Sequence, residues 1–163
     1  IDVSLVGSEM CIRDSLCIAS IQNEYSLMCR LFDNDFNELS INENIPLLAY
    51  SPLARGLLTG KYIGNKIPEG SRLSRDDKIR KIVNENSDLA VKSYCSLASK
   101  YNIDPIHMAL AFCNERPFMG SVIFGATDIT QLRKILAGIN LKLDSEMYDE
   151  IQMLYKKLSL IHI

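Results

Sequence analysis

The sequence predicts a parallel α/β fold, in which short buried strands alternate with longer amphipathic helices. Three short apolar runs have the length and composition of buried strands, namely Cys17–Ile21, Ile45–Tyr50 and Ser121–Phe124. Stretches with helical spacing of apolar residues lie between and after these runs. Because such alternation is typical of parallel sheets covered by helices, we expect a sheet of this kind.

The predicted helices begin at residues that cap helices well and end at ordinary stop signals. Asp104 is followed by Pro105, a cap with proline in the first turn. Asp128 opens a D-x-x-Q pattern that resembles a capping box. The predicted helices are Asp33–Asn44, Asp76 or Asp77 to about Tyr101, Asp104 to before Pro117, Asp128–Gly138, and Asp144 to about Lys157.

The composition excludes several classes of protein. At 163 residues the chain has the size of one domain. Its net charge of −2 provides no basic surplus for nucleic acid, and no apolar run is long enough to span a bilayer. The five cysteines form no CxxC pair, so we expect reduced thiols in a cytoplasmic protein rather than a disulfide framework or a zinc site.

The two ends of the chain differ from the rest. Residues 1–15, IDVSLVGSEMCIRDS, lack the basic start and apolar centre of a signal peptide. They resemble translated sequencing-adapter read-through, and residues 158–163, LSLIHI, resemble the same material read from the opposite end. We therefore expect a non-native leader at 1–15, a non-native tail at 158–163 and the native portion at 16–157.

A loop with the chemistry of an anion site follows the second predicted strand. After Pro52 breaks the strand, the chain carries Gly56, Thr59, Gly60 and Lys61 in close succession. Free backbone N–H groups and a lysine at the end of a buried strand suit a phosphate. The spacing is not that of a P-loop, because it is one residue short and a tyrosine replaces the magnesium-binding hydroxyl.

Two parallel architectures would gather such loops at one edge of the sheet. In a (β/α)8 barrel they meet at the carboxyl ends of the strands, and in a doubly wound sheet they meet at the switch point. A G-x-G-x-x-G fingerprint after a strand would favour the second architecture, and the sequence contains none. The residues therefore favour a partial α/β barrel with an anion-binding face.

Three blocks in this order and spacing resemble the aldo-keto reductases. They are SIQNEYSL (Ser20–Leu27), LLAYSPLARGLLTGKY (Leu47–Tyr62) and FGATDITQL (Phe124–Leu132). The resemblance is to bacterial NADP(H)-dependent reductases related to the β subunits of voltage-gated potassium channels, and it covers nearly all of 16–157. It implies a (β/α)8 TIM barrel, of which this chain would hold about the last three βα units.

The resemblance also implies which residues would hold NADP(H). Gln22 would bind the nicotinamide carboxamide, and the ring of Tyr50 would stack on the nicotinamide. The loop over the pyrophosphate would be formed by Ser51, Pro52, Leu53, Ala54 and Gly56. Positions near the phosphates would be occupied by Lys61, Ser71 and Arg72. The last strand–helix junction would contribute Gly125, Ala126, Thr127 and Gln131.

Several of these residues have simpler structural explanations as well. By itself Tyr50 would be a core aromatic, and Lys61 and Arg72 would be solvated surface charges. Gln131 could cap its helix and still contact a ligand. Relatives often place an acidic residue and an asparagine where this chain has Lys134 and Ile135, so the usual recognition of adenine is in doubt.

The predicted function is that of the cofactor-binding part of an NADP(H)-dependent reductase of aldehydes or ketones. The family uses a tyrosine, a lysine, an aspartate and a histidine from earlier strands, which this chain does not contain. Neither Tyr25 nor His107 lies in a matching motif, so no catalytic residue is assigned. We expect the chain alone to be inactive. The alternatives are a cofactor-sensing subunit of the potassium-channel β type, or a degenerate reading frame without function.

Overall fold

The computed structural model describes residues 18–64, 66–75 and 83–159. Its strands are β1 (Ile21–Glu24), β2 (Leu47–Tyr50) and β3 (Met119–Ile123). Its helices are α1 (Leu31–Asp35), α2 (Asn37–Asn42), a 3₁₀ helix (Ala54–Thr59), α3 (Arg72–Arg75), α4 (Glu85–Lys100), α5 (Pro105–Asn114), α6 (Ile129–Ala137) and α7 (Ser145–Ser159).

The three strands form one parallel sheet in the order β1-β2-β3, which confirms the predicted parallel α/β class. Neighbouring strands are also neighbours in the chain, and helices make each crossover between them. Parallel pairing aligns the strands in one direction, so all three carboxyl ends lie at the same edge.

One face of the sheet is packed and the other is open. Leu47 and Ala49 of β2 are fully buried in a core that they share with residues of α4, α5 and α7. Tyr50 and Ile123 face the other way and are 38% and 42% exposed. Parallel sheets are normally covered on both faces, so the exposure of this face is unusual.

The first and third strands are displaced from their predicted positions. Strand β1 covers Ile21–Glu24 rather than Cys17–Ile21, because pairing with β2 defines it and polar side chains are tolerated on the open face. Strand β3 starts at Met119, two residues before the predicted Ser121. The second strand is confirmed from Leu47 to Tyr50. Cys17 lies outside the described residues.

Two of the predicted helices were wrong in extent. The single helix predicted from Asp33 is two short helices separated at Phe36, whose backbone is not helical (φ −128°, ψ −5°). Helix α4 begins at Glu85 behind an extended Asn84, whose side chain accepts a hydrogen bond from Ser87 N–H at 2.8 Å. The predicted start at residues 76–77 lies outside the described residues.

The remaining helices begin where their caps predict. Asp104 accepts a hydrogen bond from Ile106 N–H, and Asp144 accepts one from Met147 N–H. Helix α6 lies between its cap Asp128 and Gly138. Helix α7 continues to Ser159, past the predicted boundary at residue 157.

A buried guanidinium lies in the middle of the packed side. Arg30 is 2% exposed, and its Cζ atom lies 4.3 Å from the ring centre of Phe112 and 4.2 Å from that of Tyr155. Its Nη1 donates to Gln152 Oε1 at 2.8 Å, while Nε and Nη2 have no hydrogen-bond partner among the described residues. Burial raises the pKa of the neighbouring Tyr94 to about 12, although the Arg30 charge opposes the shift. The site therefore buries a cation without pairing it to a carboxylate.

Two substitutions of Arg30 distinguish the effect of its charge on stability from the effect of its volume. We expect Arg30→Met to keep the free energy of unfolding within about 1 kcal/mol of wild type, because it removes a desolvated cation and preserves the packing. Arg30→Ala should lose about 3 kcal/mol, because it also leaves a cavity. Urea unfolding followed by circular dichroism measures both, with the exposed Arg133→Ala as control. Equal losses for Met and Ala would show that the charge itself is needed.

The bulge in β3 makes a second stability prediction. Leu47 pairs with Met119 and Leu48 pairs with Ser121, so Gly120 is the extra residue. A Cβ atom at Gly120 would lie 2.7 Å from Pro46 Cβ, and we expect Gly120→Ala to lose about 2 kcal/mol of unfolding free energy. A Cβ at Gly125 would meet nothing within 4 Å, so Gly125→Ala is the matched control. Equal stability of the two variants would contradict the tight packing at the bulge.

Candidate functional site

The candidate site is built on the open face at the carboxyl edge of the sheet. Gln22 pairs in register with Leu48, and Glu24 pairs with Tyr50, which in turn pairs with Ile123. Side chains alternate along a strand, so Gln22, Glu24 and Tyr50 lie on the same face. Gln22 is exposed, and Tyr50 is 38% exposed at the last position of its strand. An amide and a flat aromatic surface therefore stand together on this face.

The loop after Tyr50 has an unusual backbone. Ser51, Ala54 and Arg55 have φ angles of 57°, 48° and 59°, and Gly56 follows at 95°. Left-handed conformations cost L-residues about 1–2 kcal/mol each, so contacts must hold this turn in place. Ala54 N–H donates to Ser51 O at 2.8 Å, and Gly56 N–H donates to Leu53 O at 2.9 Å. Pro52 and Ala54 are buried and Leu53 is half-buried, which anchors the loop to the core.

Lys61 lies beside Gly56, as expected if both belong to one site. A Cβ atom at Gly56 would lie 3.6 Å from Lys61 Cε and 3.7 Å from Lys61 Nζ. The Nζ atom also lies 5.0 Å from the ring centre of Tyr62, and no carboxylate of the described residues pairs with it. Thr59 Oγ1 donates to Gly56 O at 2.7 Å and closes the same turn. The loop thus carries an exposed positive charge next to a position without a side chain.

The segment after β3 reaches the same edge through the start of α6. Asp128 caps the helix by accepting hydrogen bonds from Thr130 N–H and Gln131 N–H, each at 2.9 Å. Gln131 Oε1 accepts from Thr127 N–H at 3.3 Å and from Thr127 Oγ1 at 3.2 Å. Gln131 therefore does not complete a capping box on Asp128; it holds the residue before the cap. Gly125, Ala126 and Thr127 are all exposed there.

Two of the predicted site residues are not joined to the others. Ser71 N–H donates to Pro68 O, and Ser71 O accepts from the hydroxyl of Ser74, so these bonds stay within one turn. Arg72 is exposed at the first position of α3. Their predicted contact with phosphate has no geometric support in the described residues, and it stays a prediction.

The two positions that depart from the family pattern are used for packing. Ile135 is 6% exposed, and Lys134 Nζ pairs with Asp104 Oδ2 at 2.8 Å. The backbone oxygen of Lys134 also lies 2.7 Å from His107 Nε2. A Cβ at Gly138 would overlap the His107 ring at 2.1 Å, so glycine is required where α6 ends. These contacts dock α6 against α5.

Sequence reasoning missed an ion pair at this edge. Arg55 Nη2 lies 3.6 Å from Glu24 Oε2, which joins the loop after β2 to the last residue of β1. Glu24 is two residues after Gln22, so strand alternation would have placed both on one face had β1 been located correctly. No sequence pattern indicated that Arg55 would be its partner.

The buried tyrosine after β1 belongs to the packed side of the sheet. Tyr25 is fully buried, its hydroxyl donates to Asp33 Oδ1 at 2.9 Å, and Arg116 Nη2 donates to the same oxygen at 2.9 Å. Burial, followed by the nearby Asp33 carboxylate, raises the pKa of Tyr25 well above its usual value. Tyr25 therefore lies away from the open face, with its hydroxyl held by the contact with Asp33.

The described residues also bear on metal binding and membrane insertion. No group of three or more histidine, cysteine, aspartate or glutamate side chains comes together there in a way that could hold a metal ion. Within the same ranges, none of the helices has the length and apolar character needed to cross a membrane.

Comparisons with known proteins identify relatives for most of the chain. Residues 9–156 match the sequence profile of the aldo/keto reductase family. The chain is 37% identical over 139 residues to protein Tas of Escherichia coli, which covers 85% of this chain and 40% of that protein. It is 31% identical over 124 residues to a probable voltage-gated potassium channel subunit beta of Arabidopsis thaliana, covering 73% of this chain and 38% of that protein.

A solved structure shares the fold. It is a glycerol dehydrogenase from Gluconobacter oxydans, with a TM-score of 0.73 and 23% identity, and the match covers 93% of this chain and 46% of that one. The three-stranded parallel sheet therefore corresponds to part of a TIM barrel, as predicted. The chain spans about 40% of the length of the curated relatives that it matches.

We expect the contact between Asp104 and Lys134, which docks α6, to make the stability of the chain depend on pH. Burial alone would raise the pKa of Asp104, but hydrogen bonds from Lys134 and Ile106 N–H outweigh it and lower that pKa. A lowered pKa in the folded state adds stability above the unfolded value of about 3.9, and this stability is lost as pH falls through the folded value. Asp104→Asn keeps the cap, so we expect it to lower the free energy of unfolding by less than about 1 kcal/mol at pH 7. It should also reduce the loss of unfolding free energy as the pH falls.

The measurement is urea unfolding between pH 2 and pH 7. Asp144→Asn is the matched control, because Asp144 caps α7 but has no ion pair among the described residues. An acid decline in Asp104→Asn as steep as in wild type would show that the Lys134 contact does not carry the effect.

Proposed function

Because the chain belongs to the aldo/keto reductase family, we propose that it is the cofactor-binding part of an NADP(H)-dependent oxidoreductase. The whole protein would reduce small aldehydes or ketones, and this chain would supply the surface that binds the dinucleotide. The observation that carries the proposal is the alignment of Gln22 and Tyr50 on the open face, with the loop 51–61 at the same edge.

The nicotinamide end of the cofactor fits the sheet itself. An exposed amide at Gln22 can hydrogen-bond a carboxamide, and the exposed ring of Tyr50 offers a rigid surface for stacking. The opposite side chains of β2, Leu47 and Ala49, are fully buried, which fixes the orientation of the strand. A nicotinamide stacked on Tyr50 would cover this exposed side chain and remove apolar surface from water.

The phosphate end fits the loop that follows. Lys61 places an amino group beside Gly56, where the absence of a side chain leaves the backbone accessible. Gly125, Ala126 and Thr127 add an exposed helix start at the same edge. We propose NADPH rather than NADH only from the family resemblance, because Ser71 and Arg72 are not joined to the other candidates. A relative named NADH-specific methylglyoxal reductase is 29% identical to this chain. The preference between NADPH and NADH is therefore measured directly in the test below.

The bound cofactor would supply a hydride to the carbonyl carbon of the substrate, and a proton must reach the carbonyl oxygen. No residue of this chain is assigned as the donor of that proton. We therefore propose that the 163-residue chain binds cofactor but does not turn over substrate. We also propose a cytoplasmic location, which the free thiols of Cys29, Cys95 and Cys113 support.

A second candidate function is a cofactor-sensing subunit without catalysis. The similarity to the probable potassium channel subunit beta of Arabidopsis thaliana favours it. Both functions use the same binding surface, so they differ in whether the whole protein contains a proton donor. An intact set of tyrosine, lysine, aspartate and histidine in the preceding sequence would favour the reductase.

Binding of NADPH to the purified chain tests the proposal directly. We expect NADPH fluorescence to increase on binding and Tyr50→Leu to weaken the affinity about threefold to tenfold, because a ring stack contributes about 0.5–1.5 kcal/mol. Tyr50→Phe keeps the ring and is the matched control. NADH titrated in parallel measures the preference for the 2′-phosphate. Failure to bind either dinucleotide, or NADPH oxidation by the chain with an aldehyde, would contradict the proposal.

A further inference from the structure

We propose that Glu24 and Arg55 are positioning residues, whose ion pair holds the left-handed turn Ala54–Gly56 in place over the end of β1. The inference rests on the proposed function, because it concerns the loop that would lie over the pyrophosphate. The pair joins the two segments that would bind opposite ends of one cofactor: β1, with Gln22, and the loop after β2.

The turn needs support from outside itself. Three consecutive residues have positive φ angles, and only the last of them, Gly56, is a glycine. The hydrogen bonds that close the turn are local, from Ala54 to Ser51 and from Gly56 to Leu53. Ala54 is anchored by burial, but Arg55 is not, since its side chain is 36% exposed. Among the described residues, the contact with Glu24 is what ties the Arg55 side chain to another element.

Glu24 is well placed to be a fixed anchor. It ends β1 in register with Tyr50, and its backbone N–H donates to Asn23 Oδ1 at 2.8 Å. The next residue, Tyr25, donates its N–H to Tyr50 O at 3.2 Å and is itself fully buried. The carboxylate is therefore carried by a strand end that cannot move independently of Tyr50. An arginine bound to it is fixed relative to the candidate nicotinamide surface.

The charges argue for positioning rather than attraction of phosphate. Glu24 and Arg55 neutralise each other, with Oε2 and Nη2 3.6 Å apart. Lys61 lies beside the same turn and pairs with no carboxylate of the described residues. Attraction of an anion would come from Lys61, while the Glu24–Arg55 pair determines where the backbone lies. Removing the Glu24 charge distinguishes the two roles. It should weaken NADPH binding if the pair positions the backbone, and strengthen it if Arg55 attracts the phosphates.

The test combines affinity with backbone exchange in the 163-residue chain. Glu24→Gln and Arg55→Gln should each weaken NADPH binding about threefold, and the double variant should be no weaker than either single variant. Exchanging the charges, with Glu24→Arg and Arg55→Glu together, should restore most of the affinity. The difference in NADPH affinity between each single variant and wild type should become smaller in about 1 M salt. Lys142→Gln, a charge change outside this edge, is the control.

Hydrogen exchange without cofactor separates this inference from the proposed function. Amides of residues 51–59 should exchange about threefold faster in Glu24→Gln and in Arg55→Gln than in wild type. Their exchange rates should be unchanged in the control variant. Tighter NADPH binding by Glu24→Gln would overturn the positioning role, as would unchanged exchange and affinity in both variants. Faster exchange in a chain that binds neither NADPH nor NADH would refute the proposed function and leave the role of the pair standing.

Discussion

Parallel pairing of β2 with both β1 and β3 is the constraint on which the rest of this structure depends. It brings three strand ends to one edge and assigns every strand side chain to one of two faces. The core of α4, α5 and α7 covers the face of Leu47 and Ala49. The other face keeps Gln22 and Tyr50 exposed. Parallel sheets are usually covered on both faces, so an exposed face with polar and aromatic groups is the most unusual surface of the described residues.

The edge of the sheet combines a firm support with a strained loop. Strand ends are held by the sheet, whereas the turn at Ala54, Arg55 and Gly56 has left-handed angles that L-residues adopt at a cost. Burial of Ala54 and the contact of Arg55 with Glu24 offset that cost. Lys61, which pairs with no carboxylate of the described residues, adds a positive charge to this arrangement. The fixed backbone and the accessible cation of this edge therefore arise from different residues.

Much of the helical structure could be predicted from local chemistry. Asp104, Asp128 and Asp144 each cap the helix that they were expected to begin, because a cap depends on neighbouring residues alone. Strand limits could not be predicted in the same way. Strand β1 contains Gln22 and Glu24, which no apolar pattern would include, since their side chains face the open side. The break at Phe36 and the bulge at Gly120 also depend on packing between distant segments.

The amino-acid sequence alone was enough to predict the fold class and the family, because motif spacing and strand–helix alternation are properties of the chain order. Which of the candidate residues share a surface depends on the three-dimensional fold. It placed Gln22 and Tyr50 on one face, left Ser71 and Arg72 within their own turns, and turned Lys134 toward Asp104. It also revealed the contact of Glu24 with Arg55. These outcomes depend on strand register and helix docking, which are set by contacts between residues far apart in sequence.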